Sequence, residues 1–277
     1  TFGLIVSQAP RWESLLIEGV DSAAVARKIG LMLVHVPHDD RDLPDLVTRM
    51  QVDGLIADWA IPKGVSEAIA RYEIPTIWVN SDQQGENCVW PDDVAGGRVA
   101  TEHLLALGHR RVAFVAVRQT IHISQERRLQ GYHEAMAAAG LTPQVVHLDC
   151  PNVVPVEKTP EYFAGRYAHR ELWQAFEAEG EPTACVLFNC DTAKEVYSSC
   201  QRKGRNPGDY AFVACDDQEW VETMVPAVST ILVDHAEMGR VAVELLCEKL
   251  SDGGKQMPTK IMPVQLLVRE SSRRPAV

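Results

Sequence analysis

The chain of 277 residues is 46% hydrophobic and 23% charged, with 18 Gly and 16 Pro, the composition of an ordinary globular protein and not of a fibre or a disordered tail. At ~100 to 200 residues per domain the length predicts about two domains, each able to fold without staples. Acidic residues outnumber basic ones 38 to 27, and a net charge of -11 repels phosphate backbones, so these residues alone are not expected to hold DNA.

Short apolar runs at 3–6, 31–36, 54–57 and 76–79 alternate with amphipathic stretches, and the alternation resumes with runs at 111–117, 145–148, 184–188 and 210–214. This is the pattern of βαβ units around parallel sheets, whose strands are covered on both faces and read as near-continuous hydrophobic runs. Ala100, Leu104 and Leu107 share one face of a helix that stops at Gly108; Leu129, Tyr132 and Met136 share another that stops before Gly140. Thr159 and Pro160 supply a cap and a first-turn proline for a helix through Trp173. Thr192 with Glu195 has capping-box spacing for a helix that runs to Lys203. Asp234 with Glu237 opens a last helix whose Met238, Val241, Ala242 and Leu245 form one stripe. Core packing is the default explanation for these apolar positions. The elements fit one large sheet or two smaller ones, and pattern alone leaves that choice open.

Seven cysteines, at 88, 150, 185, 190, 200, 215 and 247, make an odd set without a C-x-x-C pair. Reduced thiols are expected, not a zinc site or a disulfide framework. His35 and His38 followed by Asp39 and Asp40 could be read as metal ligands, but with no second ligand cluster a polar loop is the simpler reading. The zinc-protease, phosphate-loop, dinucleotide and nucleophile-elbow signatures are absent, so no catalytic residue, metal or cofactor is expected. No run approaches the ~18 apolar residues of a membrane span, and the first segment lacks the features of a signal peptide.

From Asp92 the text becomes specific. The segments PDDVAGGRVATEHLLALGHRRVAFV, ERRLQGYHEAMAAAGL, FNCDTAKEVYSSCQRKGRNPGDYAFVACDD, VPAVSTI and LLVRESS resemble, in order and spacing, the effector-binding core of lactose-repressor-type (LacI/GalR family) bacterial transcription regulators. The resemblance covers most of the chain. Its run HLLALGHRRVAFV, from His103, is a feature that periplasmic sugar-binding relatives of the same fold usually lack. The resemblance implies an α/β architecture of the type I periplasmic-binding-protein kind: two doubly wound parallel-sheet lobes joined by three crossovers, with a small ligand between them. It divides the chain into a first lobe of residues 1–117 with 234–262 and a second of 118–233 with 263–277. It also implies a helix-turn-helix headpiece ahead of Thr1, where no initiator Met stands, and a homodimer that reads paired half-sites of operator DNA through that headpiece. No membrane partner and a cytoplasmic location complete the expectation.

Ligands of open parallel sheets bind beyond the carboxyl ends of strands, so the polar residues there are the candidates for a sugar-like effector. They are Ser7 and Trp12 after the first strand, Asp58 after the third, and Arg128, Asn189, Asp191 and Asp216 farther on. Carboxylates and Arg suit vicinal hydroxyls, and Trp offers a flat face to the C–H side of a sugar. The resemblance assigns contact with effector to Arg128, in RRLQGY, and acceptance of its hydrogen bonds to Asp216, in VACDD. Each has a structural alternative: Arg128 could pair with a helix-end carboxylate, and Asp216 could cap a helix through Trp220. Trp59, Phe163 and Trp220 could simply pack. The chain also departs from the family pattern, with Cys190 where Asn is common, Glu195 where Gly is usual, and a loop from Ser7 to Trp12 about a residue short. A thiol lacks the two donors and the acceptor of an amide, so contact at position 190 is expected to differ.

The function that follows is the ligand-sensing and dimerisation core of a bacterial regulator, in which a sugar-like effector modulates operator binding. A periplasmic sugar-binding protein of a transport system is the alternative on the same fold, and a sugar-processing enzyme on an α/β scaffold is a third.

Overall fold

In a computed structural model that describes residues 1–6, 13–36, 43, 47, 52–58, 61–81, 85–118, 123–148 and 166–274, the apolar runs all form strands, divided between two sheets. The first unit is Thr1–Pro91 with Asp234–Pro263. Its strands are β1 (Phe2–Val6), β2 (Leu31–His35), β3 (Gly54–Asp58), β4 (Thr76–Val79), β5 (Cys88–Pro91) and β11 (Lys260–Met262). They lie in the order β11-β5-β4-β3-β1-β2, every pairing parallel. Helices α1 (Glu13–Ala26), α2 (Lys63–Arg71) and α7 (His235–Ser251) complete it.

The second unit is Asp92–Val233 with Val264–Val277. Its sheet runs β12 (Val264–Leu267), β10 (Ser229–Val233), β9 (Ala211–Cys215), β8 (Ala184–Leu187), β6 (Val112–Val117), β7 (Gln144–Leu148), with β12 alone antiparallel. The helices are α3 (Asp93–Ala106), α4 (Ser124–Ala138), α5 (Arg166–Glu179) and α6 (Cys190–Arg202). Both sheets therefore share one doubly wound order, whose direction reverses between β1 and β3 and between β6 and β8. Strands β1, β3, β6, β8 and β9 are buried at every residue, and each large aliphatic side chain so placed contributes ~1.5 to 3 kcal/mol.

The first crossing between units comes earlier than residue 117. Pro91 ends β5, and the Asp92 side chain at once caps α3 by accepting from Ala95 N at 2.9 Å. From there α3 packs on α4, and β6 pairs with β7 and β8, so residues 92–117 belong to the second unit. The other crossings fall at Val233–Asp234 and Pro263–Val264. The cap of α6 also differs from expectation. Asn189, in extended conformation, accepts from both Thr192 N and Thr192 Oγ1 at 2.8 Å, so the helix starts three residues before the Thr192–Glu195 box. The cap expected at Thr159 and Pro160 lies outside the described residues.

Two helix pairs approach closely for one reason. A Cβ on Gly97 of α3 would lie 1.9 Å from Arg128 O, and one on Gly131 of α4 would lie 1.9 Å from Val94 O. In the first unit, Gly19 of α1 stands in the same relation to Ala236 O, and Gly239 of α7 to Leu16 O. The second unit is further bracketed by the motif residues. The His109 ring bridges Thr183 Oγ1 at 2.9 Å and Arg273 O at 2.7 Å, and burial lowers its pKa, so the ring is neutral. Ser271 Oγ donates to Phe212 O and accepts from Ser229 N. The L-G-H-R-R and V-R-E-S-S runs thus tie strand starts to the C-terminal segment. Among the described residues no cysteine forms a disulfide.

Gly97→Ala is expected to lower stability by about 2 kcal/mol or more, because the methyl meets backbone and not a yielding side chain. Gly96→Ala, whose Cβ would meet only Ile231 Cγ2 at 3.4 Å, is expected to leave stability unchanged or raised. Urea unfolding of the two variants checks the pair.

Candidate functional site

Three strand ends and one helix converge near the point where the second sheet reverses its order. Beyond β6, the Gln125 side chain accepts from Val117 N at 2.7 Å and donates to Val117 O at 2.9 Å, which fixes the start of α4 against the strand. Beyond β8, Phe188 leads into the Asn189 cap. Beyond β9, Asp216 takes a left-handed backbone (φ 63°), which Asp tolerates better than most residues. The Cys190 thiol donates to Asp216 O at 2.9 Å from beneath this turn. Burial, with Asp216 and Asp217 nearby, pushes that thiol well above its ordinary range, so it keeps its proton.

Arg128 reaches into this convergence from α4 with its side chain 5% exposed. Its Nε donates to Asp93 Oδ1 at 2.7 Å, its Nη1 to Asp216 Oδ2 and to Phe188 O at 2.9 Å, and its Nη2 to Asp216 Oδ1 at 2.9 Å. The guanidinium carbon also lies 5.4 Å from the Phe188 ring centroid. Four of its five N–H groups are thus engaged, and the fifth, on Nη2, has no acceptor among the described residues. Burial alone would lower the Arg128 pKa, but Asp216 and Asp93 hold it well above the ordinary value. Burial raises Asp93 to about 6, against the lowering pull of Arg128.

The two helix pairs show that this ion cluster is not a requirement of the fold. Where α3 and α4 meet, Arg128 and Asp93 occupy the places that Leu16 and His235 occupy where α1 and α7 meet. Leu16 is fully buried and apolar. The same close helix contact is therefore made with Leu in the place of Arg128. Replacing a buried ion pair by apolar groups is often neutral or stabilising, so its presence in one unit and absence from the other points to a task other than packing.

The structural alternative for Arg128 is met: it pairs with a helix-end carboxylate, Asp93 at the first position of α3, and also with Asp216. Asp216 is not the cap of the 3-10 turn Glu219–Thr223, whose capping position is Gln218. Asn189 is a helix cap. Asp191, in the first turn of α6, is paired with Lys194 Nζ at 3.1 Å, and that ammonium sits 3.7 Å from the Trp220 ring centroid. Asp58 is buried at the carboxyl end of β3 in the first unit. Ser7, Trp12, Trp59 and Phe163 lie outside the described residues. Asp93 is the one carboxylate of the cluster absent from the sequence-based candidates, and a repeat could have marked it: D-x-x-x-x-G-R-V-A occurs at Asp92–Ala100 and again at Asp234–Ala242. Among the described residues, no group of three or more His, Cys, Asp or Glu side chains is placed to hold a metal ion, and no helix is long and apolar enough to cross a membrane.

The model of the periplasmic binding protein-like domain matches residues 101–272, more than half of the chain. The chain belongs to that family. Among its relatives, the ribose operon repressor of Haemophilus influenzae is 26% identical over 285 residues, which span 98% of this chain and 80% of the repressor. A LacI family transcriptional regulator from Mycobacterium smegmatis, of solved structure, is 28% identical with a TM-score of 0.81 over 100% of each chain. A LacI family regulator from Enterococcus faecium, solved with bound ribose, shares the fold at a TM-score of 0.78 and 22% identity over 98% of each chain. These members of the periplasmic binding protein-like family are repressors and regulators, not enzymes or transport proteins, and this chain corresponds to their effector-binding core region.

Arg128→Leu is expected to cost about 3 kcal/mol or more, since it strands the buried Asp93 carboxylate and the partly buried Asp216. Adding Asp93→Asn should recover part of the loss, giving a non-additive pair in urea unfolding. A pH series gives a second check. Asp93 rises from an ordinary 3.8 to about 6 on folding, so between those values the folded chain holds a proton that the unfolded chain has released. Its contribution to stability is full below the lower value, falls as pH rises through the window and is lost above it; Asp93→Asn should flatten that slope.

Proposed function

We propose that this chain is the ligand-sensing and dimerisation core of a bacterial LacI-type regulator, and that it binds a small polar, sugar-like effector through Arg128 and Asp216 to modulate operator binding. The observation that carries this reading is a buried arginine, held by carboxylates where the sheet order reverses, with one N–H that has no acceptor among the described residues and an Asp216 carboxylate 21% exposed beside it. A polyol hydroxyl can accept from the first and donate to the second. The relatives support the same reading: one is a ribose operon repressor, and another was solved with ribose.

The partners follow from the family. Operator DNA is contacted through a headpiece that precedes this core in the intact regulator, which accords with the core's net charge of -11. A second copy of the chain pairs with it, as half-site readers require. Large apolar side chains exposed on the first unit, Leu15 and Val25 of α1 and Leu33 of the edge strand β2, are suited to such a contact. The regulator acts in the cytoplasm, where its thiols stay reduced. An effector alters DNA binding only by its differential affinity for two states of the core, typically a coupling of ~1 to 3 kcal/mol.

Thermal unfolding against a panel of sugars, sugar alcohols and nucleosides tests the proposal. A ligand at 100 times its Kd is expected to add ~2.7 kcal/mol to stability, and Asp216→Asn is expected to abolish the shift while the variant still unfolds cooperatively. Stabilisation by no polar metabolite, or a full shift retained in Asp216→Asn, would count against the site.

A further inference from the structure

The second unit holds a carboxylate that neither packing nor capping explains. Asp93 is 3% exposed, yet Asp92 is the cap of α3, and the matching place in the first unit is filled by His235 opposite Leu16. The Asp93 carboxylate is spent on Arg128 Nε, the edge of the guanidinium turned away from Asp216.

We propose that Asp93 sets the charge specificity of the effector site: it holds Arg128 in a cluster of net negative charge that accepts neutral, hydroxyl-bearing ligands and turns away anionic ones. This rests on the effector reading above and deepens it by naming the ligand's charge class. Asp93 acts through Arg128 and is a positioning residue, not a contact residue.

Three observations support the inference. The first is donor arithmetic. A ligand carboxylate or phosphate gains most from two parallel N–H groups, and on Arg128 both Nη atoms already face Asp216. An anion would have to displace that carboxylate, whereas a hydroxyl takes the single remaining N–H and gives its own proton to Asp216. The second is charge. Among the hydrogen-bonded members, one guanidinium against two carboxylates leaves a net charge of about -1, and with Arg128 and Asp93 side chains 5% and 3% exposed, water and salt screen it weakly. The third is reach. Asp216 is the more exposed carboxylate, so a ligand meets Asp216 and feels Asp93 through the shared guanidinium. The charged and titratable groups around Asp93 are Arg127 and Arg128 of α4, and Asp216 and Cys215 at the end of β9. Burial pushes the Cys215 thiol up to about 12, so it stays neutral. Asp93, raised to about 6, is then the member of the cluster whose ionisation changes just below neutral pH.

Isothermal titration of the whole chain with matched pairs provides the test: hexoses with their uronates, sugar alcohols with the corresponding aldonates, and nucleosides and ribose with their phosphates. Near pH 7.5 the neutral member is expected to bind about tenfold or more tighter than its anionic partner. Asp93→Asn should narrow that ratio by about tenfold, and Asp93→Glu should restore it. Near pH 5.5 uronates are still ionised, so the wild-type ratio should narrow there while the ratio for Asp93→Asn stays put. A purely structural Asp93 would weaken both members alike and leave the ratio unchanged. An unchanged ratio in Asp93→Asn, or a wild-type preference for the anionic member, overturns the inference and leaves the effector reading standing. Binding of no member of any pair overturns both. If circular dichroism shows that Asp93→Asn does not fold, the wild-type pH comparison and Asp93→Glu decide.

Discussion

A guanidinium taken out of water must be surrounded by acceptors, because an uncompensated buried charge costs several kcal/mol. Arg128 meets that demand from three elements: the first residue of α3, the turn after β9 and the carbonyl that follows β8. One side chain therefore fixes the mutual positions of a helix start and two strand ends at the place where the sheet reverses its order. The arrangement is possible only because α3 and α4 touch at Gly97 and Gly131, where a methyl group on either helix would strike the other's backbone. This contact also explains why α3, which follows a strand of the first sheet, belongs with the second unit.

The first unit makes the same helix contact with the same glycine spacing and the same nine-residue pattern, but with Leu16 and His235 at the two positions. Two copies of one packing solution, one with Leu16 and His235 and one with the Arg128–Asp93 ion pair, separate what the fold needs from what it carries. The glycines, the capping aspartates Asp92 and Asp234 and the small-residue interface belong to the fold. The Arg128 cluster is added to it, and its cost in desolvation is offset within the cluster and not by the helix pair.

Much of this architecture is legible in the amino-acid sequence. The buried strands show as apolar runs because both of their faces are covered, and the glycine stops of α3, α4 and α6 carry the positive φ that their sequence positions require. Arg128 and Asp216 stand out because their motifs resemble a family with a known site. What is not legible has physical causes. Strand β5, four residues ending in Pro91, is too short and too irregular to signal a strand, so nothing in the pattern corrects the division implied by the resemblance, which puts the crossing at Pro91–Asp92 a helix and a strand too late. The capping role of Asn189 does not show along the chain, where the Thr192–Glu195 spacing competes for it, and only the extended backbone before α6 shows its Oδ1 bonded to Thr192. Asp93 sits beside the capping Asp92, and one carboxylate at a helix start masks the other along the chain.

Cys190 shows how the departures from the family pattern fit this scheme. An amide at that position offers donors and an acceptor to a ligand, whereas a thiol raised well above its ordinary pKa offers a single weak proton. Here that proton goes to Asp216 O, so the side chain braces the left-handed turn from below. A non-glycine residue at φ 63° persists only where its surroundings over-determine it, and the bidentate contact with Arg128 on one side and the thiol on the other do so. The orientation of the Asp216 carboxylate is thereby set before any ligand arrives. Recognition in the proposed site then falls on a preorganised acid and its arginine, and a ligand need not supply the ordering that a mobile carboxylate would demand.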